Sequence, residues 1–139
     1  MSDRAQDPTE LFDVLSADGK PRGYARQRAE VHRDGDWHGS IHVWVYGLDP
    51  AGPYLAFQRR GRFKDTLPLK LDATVGGHLR AGETIEATLR EVQEEIGRSV
   101  AFSDLLPIGV RVAVSEDMPG ITDREIQHVF LWRVDEPLS

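Results

Sequence analysis

Residues 84–97 read Thr84-Ile85-Glu86-Ala87-Thr88-Leu89-Arg90-Glu91-Val92-Gln93-Glu94-Glu95-Ile96-Gly97, and their spacing predicts a helix with two unlike faces. Thr84 is an N-cap residue type and Gly97 a natural stop. At 100° per residue, Ile85, Leu89, Val92 and Ile96 fall within an arc of about 60°, whereas Glu91, Glu94 and Glu95 span about 100° centred roughly 135° away. One face is therefore core, and another brings three carboxylates within reach of a single point. Like charges three and four residues apart repel by roughly a few tenths of a kcal/mol per pair on an isolated helix. A hard divalent cation removes that repulsion and fills the rest of its octahedron with water and phosphate. A solvated acidic face is the plain alternative, and the surrounding residues decide between the two.

Working outward, residues 1–10 read as a flexible N-terminal tail and 11–139 as one domain. Leu11–Leu15 is a short strand followed by the turn residues Ala17-Asp18-Gly19-Lys20. Ile41–Gly47 alternates β-branched and aromatic residues, and Tyr54–Arg60 returns beside it after the break at Leu48–Pro53. Gly61–Asp72 reads as an ordered loop, Ala73–Val75 as a short strand entering a Gly76-Gly77 turn, and Leu105–Val114 and Glu125–Val134 as the last two strands. Several strands and one clear helix make an α+β domain.

The 139 residues carry a net charge of −6, with 40% apolar residues and no cysteine. This is enough apolar content for one moderate core. A thiol mechanism, a disulfide and a zinc-thiolate site are excluded. The acidic balance argues against an extended nucleic-acid-binding face, and no apolar run approaches the roughly 18 residues of a membrane span. The polar start, Met1 to Glu10, does not read as a signal peptide, so the expected location is cytoplasmic.

The helix follows a diglycine and Glu83 and carries the pattern Arg-Glu-apolar-x-Glu-Glu-x-Gly. Five fixed residues would match by chance on the order of once in a million positions. The segment resembles the Nudix box, Gly-x5-Glu-x7-Arg-Glu-apolar-x-Glu-Glu-x-Gly. Gly77 and Glu83 keep the first spacing, and Arg90, Glu91, Glu94, Glu95 and Gly97 fill the second half. Six residues separate Glu83 from Arg90 where the family has seven; counting back from Arg90 places the first glycine at Gly76 and Gly82 where the early glutamate belongs. The resemblance implies an α/β/α sandwich around a mixed sheet, here shortened at the C-terminus. It also implies Mg²⁺, with Mn²⁺ as a substitute, held by Glu91, Glu94 and Glu95. Arg90 orients a carboxylate by a charge-assisted hydrogen bond, and a carboxylate beyond the helix serves as general base.

Matches outside the box resemble one branch, the isopentenyl-diphosphate isomerase-like Nudix proteins. They comprise Glu30 to His38, the strand Ile41 to Tyr46, Arg59-Arg60 with Lys64, and Asp123-Arg124-Glu125. In the isomerases, histidines before the first long strand, a Cys-Gly-His turn and two late acidic residues build a second metal site. His32 and His38, His78, and Asp123 with Glu125 correspond. The same resemblance implies Arg28, Arg60 and Lys64 as diphosphate ligands, Gly76 and Gly77 beside the substrate, and Glu125 as the general base or a further ligand. His42, His128 and Trp44 read as structural, and Glu116 and Asp117 as another source of the base. Gly76 stands where the isomerases have their catalytic cysteine, which disfavours double-bond isomerisation. The expected activity is hydrolysis of a pyrophosphate bond in a nucleoside diphosphate-linked small molecule, with a non-catalytic binding module as the alternative. A homodimer is the expected assembly.

Overall fold

The computed structural model describes residues 7–63 and 68–138. Lys64, residues 1–6 of the expected tail and Ser139 therefore lie outside the described residues. The elements are β1 (Leu11–Leu15), β2 (Pro21–Gln27), α1 (Arg28–Asp34), β3 (Trp37–Asp49), β4 (Gly52–Leu55), β5 (Gln58–Arg59), β6 (Leu71–Asp72), β7 (Val75–His78), α2 (Arg90–Ile96), β8 (Leu106–Ser115) and β9 (Asp123–Arg133). The main sheet runs β2-β1-β3-β9-β8, with β4 and β7 also paired to β3, and β5 pairs β6 apart from it. Only β3 with β9 is parallel among these pairings, so the sheet is mixed.

β3 organises the molecule. Side chains alternate across a strand, so Ile41, Val43 and Val45, all fully buried, face one way and His38, Ser40 and His42 the other. The apolar side packs with Val75, Phe130, Leu105 and Val134, and Leu89 and Val92 cover it from the helical segment. α1 lies on the opposite side and turns Arg28, Val31 and His32 inward. A helix on each face gives the layered arrangement the sequence implies. Glu10 and Pro8 carbonyls accept from the Arg28 and Ala29 N–H groups, tying residues 8–10 to the start of α1.

Three local expectations are corrected. The continuous helix over 84–96 is instead a 3₁₀ turn, Ala87–Leu89, leading into α2. Thr84 still caps, since its hydroxyl accepts from the Ala87 N–H at 3.1 Å, but Thr88 binds back to the Thr84 carbonyl and tightens that turn. The diglycine is not a turn. Gly76 and Gly77 lie inside β7, opposite His42 and Ile41. The single strand over 54–60 splits: Ala56 still bonds to Val45, after which Gln58 and Arg59 leave to pair β6. β2 leaves no periodic signal in the sequence, because Pro21–Gln27 lies largely exposed and shows no alternation.

Candidate functional site

β7, β3, β9 and β8 form the floor of a cleft of about 610 Å³, walled by the box helix, by α1's Arg28 and by the loop that holds Asp117, Met118 and Ile121. Two groups of ligand-type side chains meet there.

The first is the box. Glu95, 7% exposed, accepts from the Gly76 N–H at 3.3 Å. Glu91 rests on Gly77, where a Cβ would lie 2.7 Å from its Oε1. The close approach explains the glycine: any side chain there would displace the carboxylate. Glu94 is half exposed. Arg90 joins Glu83, Glu91 and Glu94 at 2.8, 2.8 and 3.3 Å. Burial works against its charge, but Glu83 and Glu91 raise its pKa above the ordinary arginine value. Glu83 thus has a definite place despite the shortened spacing, as the anchor of Arg90, with a second bond from the Arg80 N–H. Arg90 thus orients Glu91 and Glu94, while the Gly76 N–H orients Glu95.

The second group is tighter. α1 supplies His32, β3 His38, β7 His78 and β9 Asp123, and one ligand atom from each lies within 4.8 Å of all the others. Register explains the meeting: His38 sits opposite Glu125 and His78 opposite Ser40 on the same sheet face. His38 Nε2 and His32 Nε2 lie 3.3 and 3.7 Å from Asp123 Oδ1, and His78 Nε2 lies 3.8 Å from Glu125. Phe12 stacks on His38 and His78 and seals the cluster from below.

Charge and tautomer are set by these surroundings. His38 Nδ1 lies 3.0 Å from the Asp36 carbonyl, so the Nδ1–H donates there and the Nε2 lone pair faces the cluster. Arg28 donates to His78 Nδ1 at 3.3 Å, which leaves the proton of the neutral ring on Nε2, facing Glu125. Burial and the Arg28 charge push His78 down to about 3, so its ring stays neutral. Burial, with Glu125 alongside, pushes Asp123 up to about 6. Burial would raise Glu125 too, yet bonding from His78 keeps it the ionised member of the pair. His38 is lowered by burial but raised more by Asp123 and Glu125.

The donor set fits a divalent ion. His38 Nε2 and Asp123 Oδ1 are buried without a hydrogen-bond partner among the described residues, a costly arrangement for groups that no ligand completes. Mixed imidazole and carboxylate donors suit a first-row transition ion better than Mg²⁺, whereas the all-oxygen box suits Mg²⁺. Binding must displace the Asp123 proton. Since His38 is also held above its ordinary value, Mn²⁺ affinity at the cluster should fall by at least about tenfold per pH unit below pH 6 and go on rising with pH above it until His38 has lost its proton. Calorimetric titrations between pH 5 and 7.5 giving one constant affinity would contradict the assignment.

Most sequence-derived residues converge on this cleft: Glu91, Glu94, Glu95, Glu125, Arg28, Arg60, Gly76 and Gly77 all line it. Arg60 is ion-paired to Asp72 at 3.0 Å. Arg90 stands behind the glutamates, and His128 pairs with Ile41 and Val110 on the other side of the sheet. Ser40, Gln127 and Arg111 also line the cleft. Their strands were legible, but nothing local in the sequence says which face they take.

The NUDIX domain family matches residues 38–138. The chain belongs to the Nudix family. An uncharacterised Nudix hydrolase of Clostridium acetobutylicum is 32% identical over 123 residues, covering 88% of this Nudix chain and 59% of that protein. Nudix hydrolase 3 of Arabidopsis thaliana is 40% identical over 89 residues, covering 63% of the chain and 11% of the plant protein. The chain thus spans little more than half of one relative and a small part of the other. The crystal structure of DR0079 from Deinococcus radiodurans superposes with a TM-score of 0.63 at 23% identity, over 91% of this chain and 73% of that one, and supports the Nudix fold.

Proposed function

We propose that the protein is a Mg²⁺-dependent hydrolase that cleaves a pyrophosphate bond in a nucleoside diphosphate-linked substrate. The observation that carries the reading is the sharing of one cleft by the box glutamates, by His78, Asp123 and Glu125 of the imidazole–carboxylate cluster, and by the cations Arg28, Arg60, Lys70, Arg80 and Arg111. Glu91, Glu95 and Glu94 would hold Mg²⁺, and His32, His38 and Asp123 would hold a second ion, with His78 bonded to Glu125 beside it. Such ions neutralise the diphosphate and lower the pKa of an attacking water. Arg28 and Arg60 bind phosphate oxygens, with Gly76 and Gly77 allowing close approach. Glu125, kept ionised, takes the proton of the water as its oxygen bonds to phosphorus and the bridging P–O bond breaks. Arg90 holds Glu91 and Glu94 in orientation.

The buried cluster also supports the resemblance to the isomerase-like branch. Isomerisation is nevertheless disfavoured, because Gly76 places no acid or base where that chemistry needs a thiol. Phosphate-release assays with nucleotides, nucleotide sugars and dimethylallyl diphosphate should show Mg²⁺-dependent turnover of nucleotides. Binding of nucleotides without turnover of any of them would replace the enzyme by a binding module.

The same reading includes a homodimer. β8 ends the sheet, and Leu106, Ile108, Val110, Val112 and Val114 are each more than half exposed. An apolar strand on an open sheet edge is a template for pairing with a second copy. Light scattering at micromolar concentration should give twice the 15.6 kDa chain mass, and Val112→Lys should halve it. A monomeric wild-type mass would rule this out.

A further inference from the structure

A polar row crosses the cleft floor beyond the two groups of ligands. The strand registers place His78 opposite Ser40, Ser40 opposite Gln127, and Gln127 opposite Arg111, so four side chains from β7, β3, β9 and β8 stand in line on one face. Ser40 is 1% exposed and Gln127 7%. Ser40 Oγ and Gln127 Oε1 are buried with no hydrogen-bond partner among the described residues, although both residues line the cleft. Buried hydroxyl and amide groups are nearly always paired in folded proteins. Neither carries a charge that would hold a cation.

We propose that Ser40 and Gln127 form the subsite that reads the organic part of the substrate, and that this part is a nucleobase rather than a hydrocarbon. The inference rests on the pyrophosphohydrolase reading for where the diphosphate lies. With neighbouring strands about 4.8 Å apart, Gln127 stands about 10 Å and Arg111 about 14 Å across the floor from His78. A diphosphate held at the β7 end therefore extends its nucleoside along the row. A carboxamide offers one acceptor and two donors in a plane, matching the mixed donor and acceptor edge of a base. Met118 and Ile121 supply apolar walls for its faces. No Phe, Tyr or Trp lines the cleft among the described residues, so discrimination depends on edge hydrogen bonds rather than on stacking. A prenyl group in the same place would cover both polar atoms and satisfy neither.

The test is equilibrium binding by calorimetry with Ca²⁺ in place of Mg²⁺, which limits turnover. The probes are ADP, CDP, GDP, UDP, inorganic pyrophosphate and dimethylallyl diphosphate. Wild type should bind at least one nucleoside diphosphate more tightly than pyrophosphate or dimethylallyl diphosphate. Gln127→Leu should shrink that preference about 10- to 100-fold, and Ser40→Ala by several-fold. Gln127→Glu, close in shape, should alter which base is preferred and serves as the readout should Gln127→Leu not fold. Equal binding of pyrophosphate and all four nucleotides, tighter binding of dimethylallyl diphosphate, or an undiminished preference in the variants would overturn the proposal. Base discrimination without any Mg²⁺-dependent hydrolysis would leave the subsite standing and sink the hydrolase reading alone.

Discussion

Glu95→Gln is expected to lower kcat/KM for the Mg²⁺-dependent reaction by about a thousandfold or more, with little loss of fold. The substitution keeps size and shape, and the amide oxygen can still accept from the Gly76 N–H that now binds the carboxylate at 3.3 Å. What disappears is one negative charge in a nearly buried position, 7% exposed, where charge is what attracts a hard cation. A thousandfold is about 4 kcal/mol of transition-state stabilisation, a reasonable share for a metal ligand in phosphoryl chemistry. Kinetics across a Mg²⁺ series should show the loss persisting at high metal, together with a melting temperature within a few degrees of wild type. A variant that retained a tenth of the activity would remove Glu95 from the metal site.

The second large effect comes from adding a single methyl group. Gly77→Ala places a carbon against the Glu91 side chain, 2.5 Å from its Cγ and 2.7 Å from Oε1. Those atoms belong to a side chain that can rotate, so the carboxylate is expected to yield rather than the strand. Stability should drop by about 1–3 kcal/mol, the usual cost of overpacking, while activity falls about a hundredfold because Glu91 is driven from its place. Its neighbour supplies the control. A Cβ on Gly76 would meet nothing closer than 3.9 Å, so Gly76→Ala should melt with wild type. Thermal denaturation of the two variants side by side decides the matter, and equal melting temperatures would mean that the Gly77–Glu91 contact is not important.

The contrast between these two glycines also marks the limit of what the sequence made legible. The apolar face Leu89, Val92 and Ile96, the long strand through Ile41 and Val45, and the last two strands were readable because each repeats with its own local period. The box glutamates were readable because their spacing is fixed along one helix. Which glycine touches Glu91 is a matter of register between β7 and α2, and nothing local records it. Likewise, His32, His38, His78 and Asp123 come from four elements, and their convergence depends on α1, which the sequence did not announce. Resemblance alone had suggested those residues, and the sheet supplies the physical reason: His38 and Glu125 are cross-strand neighbours. Ser40 and Gln127 carried no signal, since isolated Ser and Gln in strands are ordinary until their partners are known to be missing.

The thirteen-residue β3 acts as a common ruler for the whole site. It pairs on one side with β7, which bears the glycines under the box glutamates, and on the other with β9, which bears Asp123, Glu125 and Gln127. Inserting one residue near its start would turn His38, Ser40 and His42 together, so neither group of ligands could drift without the other. Adaptation to new substrates is thereby pushed outward, to the segment around Met118 and Ile121, where length and composition can vary while the ruler keeps its marks.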